Sequence, residues 1–142
     1  MMISVTIPVL RKGKDVLKYS RQREAIKKNL AGRCDHPTAE MVYSDIRRDY
    51  PNISLGTVYR NLSLLADLGE IRKISSVNGP DRFDARTAPH CHFRCRKCGC
   101  VMDLELDIQE AITQQAAEGF PGIVDDCDIQ FLGICPSCMA KP

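Results

Sequence analysis

Ser54-Leu55-Gly56-Thr57-Val58-Tyr59-Arg60-Asn61-Leu62-Ser63-Leu64-Leu65 is the stretch whose reading decides the fold. Ser54 is a good N-cap, and Leu55, Val58, Leu62 and Leu65 recur at helical spacing, which predicts an amphipathic helix with one dry stripe. Gly69 ends it. Thr57, Arg60, Asn61 and Leu64 leave on the other side, with Tyr59 between. Arg pairs bidentately with guanine and Asn with adenine, while Thr and Tyr meet thymine methyls or phosphates. Thr57, Tyr59, Arg60 and Asn61 are therefore candidate DNA contacts. Any solvated helix has a polar face, so the surroundings must decide.

Upstream, Ile26 and Leu30 share a face after Ser20-Arg21-Gln22-Arg23. Val42, Ile46 and Tyr50 share another, in a helix that begins near Thr38 and is stopped by Pro51. Downstream, Ile71–Val77 alternates loosely, Asn78-Gly79 is a hairpin turn signal, and Arg82–Ala85 can return as a strand. Three helices followed by a hairpin outline a winged helix-turn-helix over residues 1–85. Charge agrees with a polyanion on that side only. Met1–Asn78 holds 14 Lys/Arg against 8 Asp/Glu, whereas Gly79–Pro142 holds 6 against 10.

Arg86-Thr87-Ala88-Pro89 reads as a hinge into a second domain, residues 86–142. There His90–Cys95 and Val101–Leu106 read as strands around a Cys-Gly turn. Asp107 with Glu110 resembles a capping box for a helix to about Glu118, Pro121-Gly122 breaks it, and Ile129–Ile134 reads as a last strand. The predicted class is α+β: an N-terminal winged helix and a C-terminal α/β domain. A hydrophobic content of 44% excludes disorder, and no apolar run approaches the roughly 18 residues of a membrane span. The opening Met1–Pro8 is too short for a secretion signal, so a cytoplasmic chain is expected.

Two clusters carry chemistry. Cys95-x-x-Cys98 and Cys135-x-x-Cys138 can supply the four thiolates of a tetrahedral zinc site, with Gly99 at the knuckle. Without a secretion signal, metal ligation ranks ahead of two disulfides or a thiol redox pair, which remain the alternatives. The 36 residues between the pairs would make such a site clamp distant parts of one domain. His90 and His92, two apart on a strand, leave from one face, Asp103 on the next strand can converge with them, and Asp84 precedes the hinge. That nitrogen- and oxygen-rich set suits iron, manganese or zinc. Ordinary core histidines remain an equal alternative, and spacing does not select His36.

Ser20–Arg23, His36-Pro37-Thr38-Ala39-Glu40, Ser54–Leu62, Arg82-Phe83-Asp84, His90-Cys91-His92 and both cysteine pairs together resemble the ferric uptake regulator (Fur) family over nearly the whole chain. The resemblance implies a homodimeric, metal-dependent transcriptional repressor on double-stranded DNA, not an enzyme. In it the four paired cysteines hold structural zinc in the dimerisation domain. The peroxide-responsive (PerR) branch is the most similar, because its regulatory iron or manganese set is matched by His36, Asp84, His90, His92 and Asp103. In that branch peroxide oxidises the histidines matching His36 and His90, metal is lost and DNA is released.

Four further thiols depart from that pattern: Cys34, Cys91, Cys100 and Cys127 can recruit zinc or react with oxidants directly. Arg60 resembles the iron-sensing branch instead, so iron or zinc sensing is the alternative within the family. A metallohydrolase built on the His/Asp set is the alternative of another class, against which stands the absence of a general-base motif such as H-E-x-x-H.

Overall fold

The computed structural model describes residues 18–77 and 79–141. Asn78 of the expected hairpin turn and the Met1–Pro8 opening lie outside them. Helix α1, Arg21–Ala31, starts where the Ser20 hydroxyl accepts the Arg23 N–H at 3.3 Å. Helix α2, Ala39–Ile46, is capped in the same way by Thr38, and α3, Leu55–Asp67, by Ser54, whose hydroxyl accepts the Thr57 N–H at 3.1 Å. Helix α2 ends well before Pro51. The Arg48 N–H donates to the Asp45 carbonyl at 3.3 Å in a tightened turn, and the Tyr50 N–H returns to the Ile46 carbonyl at 2.9 Å. Gly69, at φ +73°, closes α3 in the left-handed conformation that glycine adopts without strain.

Strands β1, Arg72–Ile74, and β2, Arg82–Asp84, pair antiparallel with Lys73 opposite Phe83. They are shorter than their alternation predicted. Ile26, Leu30, Val42, Ile46, Ile53, Val58, Leu62, Leu65, Ile71 and Phe83 close one aliphatic core between the three helices and this hairpin. Leu55 is not in it: at 39% exposure on the first turn of α3 it projects past the core, a correction to the expected stripe.

The second half is a three-stranded sheet in the order β4-β3-β5, with α4 beside it in sequence. Strand β3, Cys91–Cys95, runs antiparallel to β4, Val101–Leu104, and parallel to β5, Gln130–Gly133. Helix α4, Gln109–Glu118, begins one residue later than a box on Asp107 requires. Ile108 occupies the N-cap with no side-chain bond, so the expected capping box does not form. A short helix α5, Pro136–Met139, follows Cys135. The buried cluster of this half is Cys95, Cys135 and Cys138, with Phe93 and Cys100 against it. Around it Leu106, Ile112, Phe120, Ile123, Phe131 and Leu132 remain exposed. A sheet this small buries too little apolar surface to stand without a further tie.

Candidate metal centres and nucleic-acid interface

Cys95 and Cys98 flank the turn from β3 to β4, where the Gly99 N–H donates to the Cys95 carbonyl at 3.0 Å and Gly99 takes φ +75°. Cys135 and Cys138 sit at the start of α5. The four Sγ atoms lie within 4.8 Å of one another, and Cys98 Sγ is 3.7 Å from Cys135 Sγ. A tetrahedral ion about 2.3 Å from each sulfur requires edges of about 3.8 Å, so the cluster fits structural zinc. All eight cysteines are free thiols. The backbone N–H groups of Cys98 and Cys135 point at Cys95 Sγ and bring that thiol down to about 6. A thiolate is the form a metal takes. Cys100, which spacing did not associate with this group, packs against it, and burial pushes its thiol up to about 12.

The second cluster is assembled from four places in the chain. The loop before α2 is fastened onto β2: Thr38 bridges to Arg82, the Phe83 N–H donates to the Pro37 carbonyl at 3.0 Å, and Arg82 Nη1 donates to the His36 carbonyl at 3.0 Å. His36 takes φ 48°, a left-handed value uncommon outside glycine, and its ring is buried beside Asp84. His90 lies just before β3, His92 is on it, and Asp103 is the cross-strand partner of His92. The two-residue spacing implied the same-face alternation; the antiparallel register that sets Asp103 opposite His92 comes from the fold.

All three imidazoles aim Nε2 at the same two carboxylate oxygens. Nε2 of His36, His90 and His92 lies 3.4, 2.9 and 3.2 Å from Asp84 Oδ2, and 2.8, 3.0 and 3.4 Å from Asp103 Oδ1. Ligands about 2.1 Å from a common ion, at right angles to one another, would be separated by about 3.0 Å. The His90 tautomer agrees. His90 Nδ1 lies 2.7 Å from the Ala88 carbonyl, where it donates, so the neutral ring turns a lone pair on Nε2 toward the carboxylates. A lone pair facing an anion is repulsive, and a cation between them removes the conflict. Burial pulls the His36 pKa down, but the bonds to Asp84 and Asp103 more than offset it and leave it raised. Burial likewise pushes Asp84 up, while the bonds from His36, His92 and the Arg86 N–H hold it well below the ordinary carboxylate range. His36, Asp84, His90 and His92 are buried, and Asp103 is partly open to solvent.

Of the extra thiols, Cys91 lies between two of these histidines in sequence, yet strand alternation turns it to the other face. There Gln109 Nε2 donates to its sulfur at 3.3 Å, and burial raises its pKa. Cys34 is exposed, two residues from His36. On α3, Tyr59 and Arg60 are exposed and Thr57 and Asn61 half-buried. Arg60 Nη2 donates to Thr57 Oγ1 at 3.2 Å, and Asn61 Nδ2 donates to the Thr57 carbonyl at 3.0 Å.

The sequence pattern described as "Ferric uptake regulator family" matches residues 14–131. The chain belongs to the ferric uptake regulator family. It is therefore a Fur-family metal-responsive transcriptional regulator, and such regulators are not enzymes. It is 30% identical over 125 residues to the peroxide-responsive repressor PerR of Staphylococcus aureus, covering 88% of this chain and 84% of that protein. Among solved structures, the Campylobacter jejuni peroxide stress regulator superposes with a TM-score of 0.72 at 29% identity, covering 82% of this chain and 88% of that one. The Vibrio cholerae ferric uptake regulator gives 0.68 at 27%, covering 84% and 92%. The winged helix and the α/β second half are thus the Fur fold. Among the described residues, no helix is long and apolar enough to cross a membrane.

Proposed function

We propose that this Fur-family regulator is a homodimeric repressor that binds an operator in double-stranded DNA and senses peroxide through a regulatory iron ion. In this reading His36, Asp84, His90, His92 and Asp103 hold the iron, or manganese in its place, while Cys95, Cys98, Cys135 and Cys138 hold structural zinc. The observation that carries it is the convergence of five ligand atoms drawn from the α1–α2 loop, β2, β3 with its approach, and β4. A cation bound there ties the winged helix (residues 1–85) to the dimerisation domain (residues 86–142), and so sets the spacing of two α3 helices in a dimer. It acts as an effector by binding the DNA-competent arrangement more tightly than the open one. The exposed apolar side chains around the second sheet suit the dimer contact. Thr57, Tyr59, Arg60 and Asn61 read the bases. A cytoplasmic location follows from that role.

Ferrous iron held by these residues would supply an electron to peroxide beside its own ligands, which manganese would do far less readily. The chain's part is to present His36 Nε2 and His90 Nε2 at that position and to lose cross-domain ligation once they are modified. The test is DNA binding by the iron and manganese forms, each before and after a small dose of peroxide. The iron form loses affinity and the manganese form keeps it, with an added oxygen on peptides containing His36 or His90. A double Cys34→Ser, Cys91→Ser variant that no longer responds assigns the switch to thiols instead. An iron form indifferent to peroxide makes the protein a plain iron or zinc sensor.

A further inference from the structure

A cleft of about 730 Å³ opens between the β1–β2 hairpin and the second sheet, bordered by Ser75, Ser76, Arg82, Arg94, Arg96 and Gln130 among others. Arg82 and Arg94 line the same cleft. Burial, and then the nearby Arg82 charge, disfavour the charge on Arg94, yet a guanidinium does not give up its proton. Their partners in the fold are neutral. Arg82 Nη1 donates to the His36 carbonyl at 3.0 Å, and Arg94 Nε donates to Gln130 Oε1 at 3.4 Å. Arg82 Nε and Arg94 Nη2 are buried with no acceptor. The nearby carboxylate, Asp81, is held elsewhere: Lys73 Nζ lies 3.3 Å from one of its oxygens and the Ser76 N–H donates to the other at 3.1 Å.

Two like charges with unmatched, desolvated donors are costly unless an anion stands between them. We propose that this cleft binds a small free oxyanion, a carboxylate or a phosphate, between Arg82 and Arg94. The planar forks of two arginines match the oxygens of such groups bidentately. The recessed donors favour a free anion over the backbone of a duplex. The position has a consequence for regulation. Arg82 is two residues before Asp84 on β2, and Arg94 two residues after His92 on β3. The anion therefore joins the same two strands as the His/Asp cluster and fastens the hairpin to the second sheet alongside it. Cys95 and Cys98 also border the cleft, and the negative charge of a zinc–thiolate group is the main force opposing an anion there.

The experiment uses the zinc-loaded full chain. Inorganic phosphate, and separately succinate, is titrated calorimetrically at an ionic strength held constant with chloride. Saturable binding of one anion per chain is expected, weakened about tenfold or more in Arg94→Gln and unchanged in Arg48→Gln, an exposed arginine outside the cleft. Binding of phosphate alone or succinate alone supports the site and identifies its source chemistry. In thermal melts without added anion, Arg94→Gln matches or exceeds the unmodified protein because one of two like charges is gone from the cleft. With anion, only the unmodified protein gains. If Arg94→Gln does not fold, Arg94→Lys, which keeps the charge and loses the fork, is expected to show the same weakening. The proposal is overturned by no saturable heat, by equal binding to the Arg94 and Arg48 variants, or by binding that disappears when more chloride is added.

Discussion

The two ligand clusters of this chain differ in how far apart their parts lie in the fold. The four cysteines belong to one half: a β3–β4 turn and the start of α5 meet over a sheet that otherwise has little core. The three histidines and two aspartates straddle both halves, and the segment carrying His36 reaches the others only because it is fastened onto β2. An ion in the first cluster contributes to the existence of a folded second half. An ion in the second would select among arrangements of two parts, one of which has its own aliphatic core. In the proposed reading one chain uses metal ligation for folding in one place and for conformational choice in another, and the distribution of ligands over the fold makes the difference.

The largest effect should come from breaking the first cluster. Cys135→Ser is expected to lose zinc and the stable dimer. Metal contributions to small zinc-dependent folds are on the order of 10 kcal/mol, comparable to the whole stability of an ordinary domain. Elemental analysis with size-exclusion chromatography measures this, and a zinc-free Cys135→Ser protein that remains a folded dimer breaks the comparison. Asp84→Asn tests the other side. Its carboxylate faces all three histidines, so regulatory metal affinity should fall by about 100-fold or more, beyond the roughly 10–100-fold typical of outer-sphere changes. Zinc content and secondary structure should stay as they were. Loss of zinc in that variant would mean that the two centres are not separate.

Arg60→Ala sharpens the link from metal to DNA. It should relax base preference and cost about 1–3 kcal/mol on the specific site, while metal-dependent binding remains. Fluorescence anisotropy on specific and scrambled duplexes reads both quantities, and unchanged specific affinity would remove α3 as the reader. The smallest effect belongs to Leu55→Ala. With Leu55 outside the core, its stability cost by denaturant unfolding should stay within about 0.5 kcal/mol. A cost of about 2–5 kcal/mol, as for a buried leucine, would restore it to the dry stripe.

What the sequence determined by itself is whatever depends on neighbours in the chain. The cap at Ser54, the helical periods of α1 to α3 and the cysteine knuckle are set within a few residues, and each is found where its pattern lies. The His90/His92 spacing was legible for the same reason, since strand alternation repeats every two residues. Patterns failed where a distant contact intervened. Leu55 has the right period, but the core ends before it. Asp107 has the right partner at Glu110, but the helix starts a residue late.

His36 is the sharpest case. Nothing in Cys34-Asp35-His36-Pro37 distinguishes a buried ligand from a loop histidine, and only its resemblance to a family motif singled it out. The bridge from Thr38 to Arg82 and the left-handed turn at His36 bring its ring against Asp84 and Asp103. The placing of Arg82 and Arg94 on one cleft and the parallel placement of β5 on β3 are decisions of the same kind. Each depends on closing a long loop, whose entropy cost is met by the core and the sheet as a whole rather than by the residues that come to touch.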